Sequence, residues 1–500
     1  MKADVPNPRP EEIELKLALP ACDLAGLEKQ LSSLPALARC KPDRLHLHNT
    51  YYDTLEQTLG QQRMALRLRR VGSGEHPQWL QTLKMGGSGD SALSQRGEWE
   101  TAVIGGELDR AALQATPWSD IDPDGRLFEA LGPRFVTSFD RTRWTVRKPR
   151  GSVVEVSLDI GQIVAEGRSI PLCELELELL AGQSAALFDL ARQIALGIAV
   201  LPEVRSKAER GYALADHSLN QPRRAQPPKL SAKMHPQAAA QCVLREMFGQ
   251  FTANLNTLRH SDDPEVVHQA RVGWRRFRSA CRLFSPVLAI DVPSREPLQP
   301  LVTVVGELRD LDVARTETLP QLTAAYTAGN ASREAKWQAM TQALTQAACL
   351  QRKAVGHALE SPAVGATLLA IEQWMEALPK MKGPGDSPKR PDVSFRHWAR
   401  KRIDRLRGKL KDALQDSDTL EGQHQARILA KRLRYGIEAL EPLLSKRSSR
   451  RWRKGATELQ TRIGMARDVA QAGILIARLD VDRELSEFLR GFAAGQTPPG

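Results

Sequence analysis

The sequence predicts an α+β N-terminal domain whose antiparallel strands close into a barrel, followed by an all-α domain of two related helical bundles. Three observations carry this. Runs of strict period-two alternation fill the first part, Ala/Leu/Arg-rich helical segments fill the rest, and one basic motif occurs twice in the helical part. At 500 residues the chain exceeds what one hydrophobic core ordinarily holds, in keeping with more than one domain.

The strands come first. Glu12-Ile-Glu-Leu-Lys16 alternates charged and aliphatic residues, as do the runs 64–69, 79–84, 141–147, 154–159 and 174–179. Alternation sends every second side chain to one face of a strand. Gly- and Pro-containing turns separate the runs, as at Gly86-Gly-Ser-Gly89 and Lys148-Pro-Arg-Gly151, and helices are expected near Leu24–Leu34 and Ser184–Leu196. The Pro-rich stretch 221–230 reads as a linker, giving domains at 1–220 and 231–500. A second break, Lys382-Gly-Pro-Gly-Asp-Ser-Pro-Lys-Arg-Pro391, divides the helical part into repeats at about 231–381 and 392–500.

The repeat is explicit. His268-Gln-Ala-Arg271 continues with Arg275, Arg276 and Arg278, and His424-Gln-Ala-Arg427 continues with Lys431, Arg432 and Arg434, at an offset of 156 residues. Gly306-Glu-Leu-Arg-Asp310 and Gly464-Met-Ala-Arg-Asp468 follow in the same order at an offset of 158. Duplicated bundles with pseudo-two-fold symmetry are the expected outcome.

Composition narrows the function. Hydrophobic residues at 41% and charged residues at 26% describe a soluble globular protein. The six cysteines are scattered without a CxxC pair, which favours reduced thiols over a disulfide framework or a zinc site. Met1–Pro10 has no apolar segment of a leader, and no apolar run is long enough to span a bilayer, so a cytoplasmic protein without a membrane partner is expected. Residues 1–230 hold 29 Lys+Arg and 30 Asp+Glu, a net of −1; residues 231–500 hold 42 and 29, a net of +13. The positive charge therefore belongs to the helical part, as in a polyanion-binding module.

In the strands the polar faces are almost purely charged and sorted by sign. Glu12, Glu14 and Lys16 share a face; Arg67 and Arg69, Lys84, and Arg141 and Arg143 occupy others; Glu174, Glu176 and Glu178 line another. On an open sheet these would be solvated cross-strand ion pairs. Inside a closed barrel the acids can hold divalent cations while the bases meet phosphate oxygens. Oxygen ligands without His or Cys point to Mg²⁺ or Mn²⁺.

These residues resemble a known family. Glu12-Ile-Glu-Leu-Lys16 matches the ExExK signature of the CYTH family, the triphosphate tunnel metalloenzymes. The likeness continues in order through Asn49-Thr-Tyr-Tyr-Asp53, Leu66-Arg-Leu-Arg69, Lys84, Arg96-Gly-Glu98, Asp140-Arg-Thr-Arg143, Asp159, Cys173-Glu-Leu-Glu-Leu-Glu178 and Ser206-Lys207. The resemblance implies an eight-stranded tunnel in which Lys16, Arg67, Arg69, Lys84, Arg141, Arg143 and Lys207 hold a triphosphate. It implies Glu12, Glu14, Glu98, Glu174 and Glu176 as ligands of two Mg²⁺ or Mn²⁺ ions, with Asp159 added, and singles out Lys16, Lys207 and Glu98 as catalytic. Glu178 continues the acidic face without an assigned metal.

The helical part resembles the CHAD family, named for its histidines, here His268 and His424. Positions +3, +7 and +10 recur near one helical face, so His268, Arg271, Arg275 and Arg278 form one stripe and His424, Arg427, Lys431 and Arg434 a second. A solvated basic face is the plain alternative. The resemblance implies binding of inorganic polyphosphate, which also suits two stripes of matching phase. Nucleic acid is disfavoured, since the stripes have few aromatics to stack on bases, Trp274 and Tyr435 among them. The expectation is thus an inorganic triphosphatase joined to a polyphosphate-binding domain, with polyphosphate granules as a candidate location. Its rivals are a class IV adenylate cyclase, a nucleoside or thiamine triphosphatase, and a non-catalytic polyphosphate-granule adaptor.

Overall fold

The computed structural model describes residues 11–20, 24–74, 76–86, 91–148, 151–288, 290–380, 395–415, 420–479 and 483–495. They divide into two compact units, Met1–Gln221 with Glu360–Gln373, and Pro222–Leu359 with Trp374–Gly500. The Pro/Gly-rich break at 382–391 lies outside the described residues.

The first unit begins β1 (Glu11–Ala18), α1 (Leu24–Ser33), β2 (Asp43–Asp53), α2 (Thr58–Gln61), β3 (Met64–Val71), β4 (Gln78–Met85) and β5 (Leu93–Val103). It continues with α3 (Trp118–Ile121), α4 (Arg126–Glu129), β6 (Gly132–Arg147), β7 (Val153–Ala165), β8 (Arg168–Ala181), α5 (Ala185–Ala195), β9 (Leu201–Pro202) and α6 (Lys207–Ala215). The sheet order is β5-β4-β3-β2-β6-β7-β8-β1-β9, and β1 also pairs with β5. That pairing closes eight antiparallel strands into the expected barrel, with the two-residue β9 added on β1.

Period-two alternation decides what faces in and what faces out. Leu15 and Leu17 of β1, Val154, Val156 and Leu158 of β7, and Leu175 and Leu177 of β8 point outward. They pack with Leu27 and Leu31 of α1 and with Leu187, Phe188 and Ile194 of α5. Leu369, from the 360–373 segment, joins the same core. Each such side chain stabilises the fold by roughly 1.5–3 kcal/mol when fully buried. With the apolar residues committed outward, the intervening charged ones have only the barrel interior to occupy.

One more element shapes that interior. Ser206 and Glu209 form a capping box: Ser206 Oγ accepts from the Glu209 amide at 3.1 Å, and the Ser206 amide donates to Glu209 Oε2 at 2.7 Å. The box fixes the start of α6, so Lys207, its first residue, enters the barrel. Gly211 lets α6 lie flat on β6, since a Cβ there would come within 2.2 Å of the Phe135 ring.

From Pro236 onward the described chain is helical: α7 (Pro236–Leu258), α8 (Pro264–Phe284), α9 (Gln299–Val313), α10 (Thr323–Thr327), α11 (Ala331–Leu359) and α12 (Pro362–Ala377), then α13 (Phe395–Gln415), α14 (Leu420–Leu440), α15 (Lys446–Leu479) and α16 (Arg483–Gly495). The segment 221–229 carries neither helix nor strand, and Gln226 N donates to Glu246 Oε1 of α7 at 2.7 Å. The repeated motifs fall on matching helices, His268 on α8 and His424 on α14, Gly306 on α9 and Gly464 on α15. α7 packs on α8, α13 on α14, and the motif helices α8 and α14 on each other. Among the described residues no single helix is long and apolar enough to cross a membrane.

Candidate active site

The barrel interior holds a cavity of about 420 Å³. Eleven of the thirteen residues predicted for the triphosphate and metal sites line it: Glu12, Glu14, Lys16, Arg67, Arg69, Lys84, Glu98, Arg141, Arg143, Glu176 and Lys207. The other two, Asp159 and Glu174, are wholly buried and are not part of the lining. Arg141 holds Asp159 through two hydrogen bonds of 2.7 Å, from Nε and Nη2. Lys207 Nζ lies 2.6 Å from Asp159 and 2.8 Å from Glu176, and also contacts Glu174, which Arg210 holds at 2.5 Å. Arg143 sits towards the barrel rim, about a third exposed and paired with Asp43.

The charges form an interleaved lattice rather than separate acid and base walls. Lys84 Nζ donates to Glu12 Oε2 at 2.9 Å and lies 3.0 Å from Glu98. Lys16 Nζ donates to Glu14 at 3.0 Å, and Arg67 Nη2 to Glu98 at 3.4 Å. Although burial pushes Glu176 upward, Lys207 and Arg141 hold it well below the usual carboxylate range. Glu14 is likewise held low against burial by Lys16 and Arg96, and Glu98 by Lys84 and Arg67.

The lattice is not balanced everywhere. Burial, followed by the carboxylates of Glu12 and Glu98, pushes Glu178 up to about 7, so negative charge is locally in surplus there. Burial, then the guanidinium groups of Arg67 and Arg141, drives Arg69 down to about 10, so positive charge is in surplus at that point. A group pushed towards its neutral form by like charges marks a place where a counter-ion is favoured. The surplus of carboxylate oxygens at Glu12, Glu98, Glu155 and Glu178, without nitrogen or sulfur donors, fits a hard divalent cation. The surplus of guanidinium at Arg67, Arg69 and Arg141 fits phosphate oxygens.

In the helical unit, the first stripe runs along α8. His268 is partly buried; burial, then the charge of Arg309 on α9, favours its neutral form. Arg271 lies against Gly306 of α9, where a Cβ would come within 2.5 Å of its Nη1. Arg275 is half-buried and Arg278 exposed. Arg276, the other half of the basic pair, turns into the core instead, to Glu246 at 3.0 Å, Gln250 at 2.5 Å and Glu438 at 3.5 Å. On α14, Arg427, Lys431 and Arg434 are half-buried, while the side chain of His424 lies outside the described set.

Two family models match the chain, the CYTH domain over residues 10–212 and the CHAD domain over residues 242–477. The chain is a CYTH domain followed by a CHAD domain. An inorganic triphosphatase of Haemophilus influenzae is 34% identical over 206 residues, which is 41% of this chain and 55% of that protein. The match thus spans little more than half the length of that relative. The solved CHAD domain of Ricinus communis is 28% identical with a TM-score of 0.47, covering 55% of this chain and 91% of that one. A candidate adenylyl cyclase of Hippeastrum, whose structure is described as revealing a dominant triphosphatase activity, is 20% identical with a TM-score of 0.32 over 40% of this chain and 95% of that one.

Several residues of the CYTH interior carried no predicted role. Arg96 and Glu100 flank Glu98 at period two and line the cavity with it, a signal present in the sequence. Glu155 shares a face with Asp159 by the same rule and lies opposite Glu178. Arg210 stands three residues beyond Lys207 on α6, the spacing that puts both at Glu174. Tyr51 lines the cavity too, stacked on Phe135 at 4.5 Å. Its position between phosphate-type bases follows only from the fold.

Proposed function

We propose that the CYTH domain hydrolyses inorganic triphosphate to diphosphate and phosphate with Mg²⁺ or Mn²⁺, and that the CHAD domain binds inorganic polyphosphate. The observation that carries the first part is the convergence, in one barrel cavity, of the carboxylates Glu12, Glu14, Glu98 and Glu176 with the bases Lys16, Arg67, Arg69, Lys84 and Arg141. A linear polyanion with its divalent cations answers both at once.

In this reading Arg67, Arg69, Arg141, Lys84 and Lys16 grip the phosphate chain, with Arg143 at the rim, and fix the terminal phosphorus in line with the attacking water. Glu12, Glu14, Glu98, Glu174 and Glu176, with Asp159 added, would hold the ions; ligand oxygens of Asp159, Glu174 and Glu176 lie within 4.8 Å of one another. When bound, the ions offset charge on the phosphate oxygens and acidify the water. Lys207, held by three carboxylates, keeps Glu176 ionised and oriented. Lys16 does the same for Glu14, and the ionised Glu98 faces the same space. The CHAD stripes supply a second, basic surface, on which the neutral His268 can donate a hydrogen bond to a phosphate oxygen.

Phosphate release from triphosphate, ATP, thiamine triphosphate and long-chain polyphosphate, each with Mg²⁺ or Mn²⁺, tests this reading. Triphosphate is expected to give the highest kcat/KM. Cyclic AMP formed from ATP at a comparable rate favours a cyclase, and no turnover of any substrate favours the polyphosphate-granule adaptor.

A further inference from the structure

Arg96 stands where two of the metal-type carboxylates meet. On β5 it is the register partner of Glu12 on β1. Its Nε donates to Glu12 Oε2 at 2.9 Å and its Nη2 to Glu14 Oε1 at 2.5 Å, so one guanidinium spans both acids of the ExExK run. Each acid has a further cation, Lys84 on Glu12 and Lys16 on Glu14. Arg96 also lines the cavity, and its side chain is 13% exposed, so the guanidinium can swing into that space without leaving the barrel.

A divalent ion held between Glu12 and Glu14 needs lone pairs on the same oxygens that Arg96 engages. It would also sit within a few ångströms of a fixed positive charge in a poorly solvated interior. Ion and guanidinium therefore compete. We propose that Arg96 is a displaceable internal counter-ion of the Glu12–Glu14 pair, which yields the carboxylates to the divalent ion and turns its fork to the triphosphate. It is a positioning residue that couples the two ligands. The inference rests on the hydrolase reading above.

Two consequences follow. Metal affinity without a phosphate ligand is set partly by the strength of the Arg96 bonds, and metal must raise affinity for the phosphate chain by freeing a bidentate donor. A scaffold role, in which Arg96 merely holds the two acids in place, makes the opposite forecast for the metal.

The test uses the full chain. Mn²⁺ is titrated into wild type, Arg96→Met, Arg96→Lys and Glu14→Gln without phosphate, reading free ion by electron paramagnetic resonance. Calorimetry then follows a methylene-bridged triphosphate analogue with and without Mn²⁺. Arg96→Met should bind Mn²⁺ at least about tenfold more tightly, the factor equivalent to one lost hydrogen bond to a charged group. Arg96→Lys, which cannot span both acids, should tighten binding less. In both, the gain in analogue affinity that Mn²⁺ brings should shrink. Should Arg96→Met fail to fold, Arg96→Lys decides. Unchanged or weaker Mn²⁺ binding in these variants, while Glu14→Gln loses the ion, overturns the role of Arg96 alone. If wild type and Glu14→Gln bind Mn²⁺ alike, the metal-site reading fails and this inference fails with it.

Discussion

Lys207 Nζ lies 2.6 Å from Asp159 Oδ2, and both groups are almost wholly buried. With Glu174 and Glu176 also at the ammonium, a single lysine neutralises a knot of carboxylates from β7 and β8. Lys207→Met leaves these acids without that partner. Breaking a buried ion cluster by removing one member costs about 3–5 kcal/mol. Urea unfolding should show a loss of that order, partly recovered by adding Asp159→Asn. An unchanged midpoint contradicts the assignment of Lys207 as the cluster's counter-ion.

Arg69 behaves in the opposite way. Burial and the neighbouring Arg67 and Arg141 oppose its charge, against Asn49 Oδ1 at 2.7 Å and the more distant Glu100. Arg69→Met should therefore stabilise the protein without phosphate by about 1 kcal/mol while weakening triphosphate binding. Thermal unfolding and calorimetry check the two halves. Loss of stability together with normal binding contradicts the idea that this site stores repulsion for an anion.

How far the sequence revealed the CYTH domain depended on what each strand buries. β1, β7 and β8 were legible because outward Leu and Val alternate with inward acids against one continuous core. The four-residue helices α3 and α4 carry no such period. Asp122 organises them, accepting from the Leu127 and Phe128 amides at 3.0 Å and from Trp118 Nε1 at 3.3 Å. Asp159 and Glu174 share their faces with cavity residues, and alternation alone does not tell depth along a strand. Their gathering with Glu176 into one carboxylate group depends on where α6 delivers Lys207 and Arg210. Arg96 stands two residues from Glu98 in sequence, but its partner Glu12 lies on another strand, a contact that exists only once β1 closes on β5. In the CHAD domain the helical face rule puts Arg271 and Arg275 on the stripe and leaves Arg276 off it, and the packing of α7 and α14 draws Arg276 inward.

His268 gives a pH test. Burial, then Arg309, favours its neutral form, with Arg275 adding to Arg309 and with Glu265 and Glu317 opposing. Its folded pKa thus lies below the unfolded value of about 6.5, so the unfolded chain takes up the proton first. This contribution to stability is complete above about pH 6.5 and is lost as pH falls below it. Wild type should lose more unfolding free energy than His268→Gln between about pH 7 and 5.5. Parallel profiles contradict the burial argument.

Two glycines of the CHAD domain separate packing from binding. At Gly273 a Cβ would meet Phe251 N at 2.7 Å, backbone that cannot yield, so Gly273→Ala should cost about 1–3 kcal/mol or more by overpacking the α7–α8 crossing. At Gly306 the obstacle is the flexible tip of Arg271, so Gly306→Ala should leave stability nearly unchanged, move Arg271, and weaken polyphosphate binding. Denaturant unfolding and polyphosphate titration distinguish them; equal stability losses contradict the distinction.

The most direct test of the central claim is phosphate release from inorganic triphosphate by wild type and by Glu14→Gln, with Mg²⁺ or Mn²⁺ and again with EDTA. The CYTH interior described above predicts metal-dependent turnover in wild type. It predicts a loss on the order of 10²-fold or more in Glu14→Gln, as when a catalytic ion is misplaced, with the variant still folded. Wild-type turnover that survives EDTA, or a Glu14→Gln variant as fast as wild type, contradicts it.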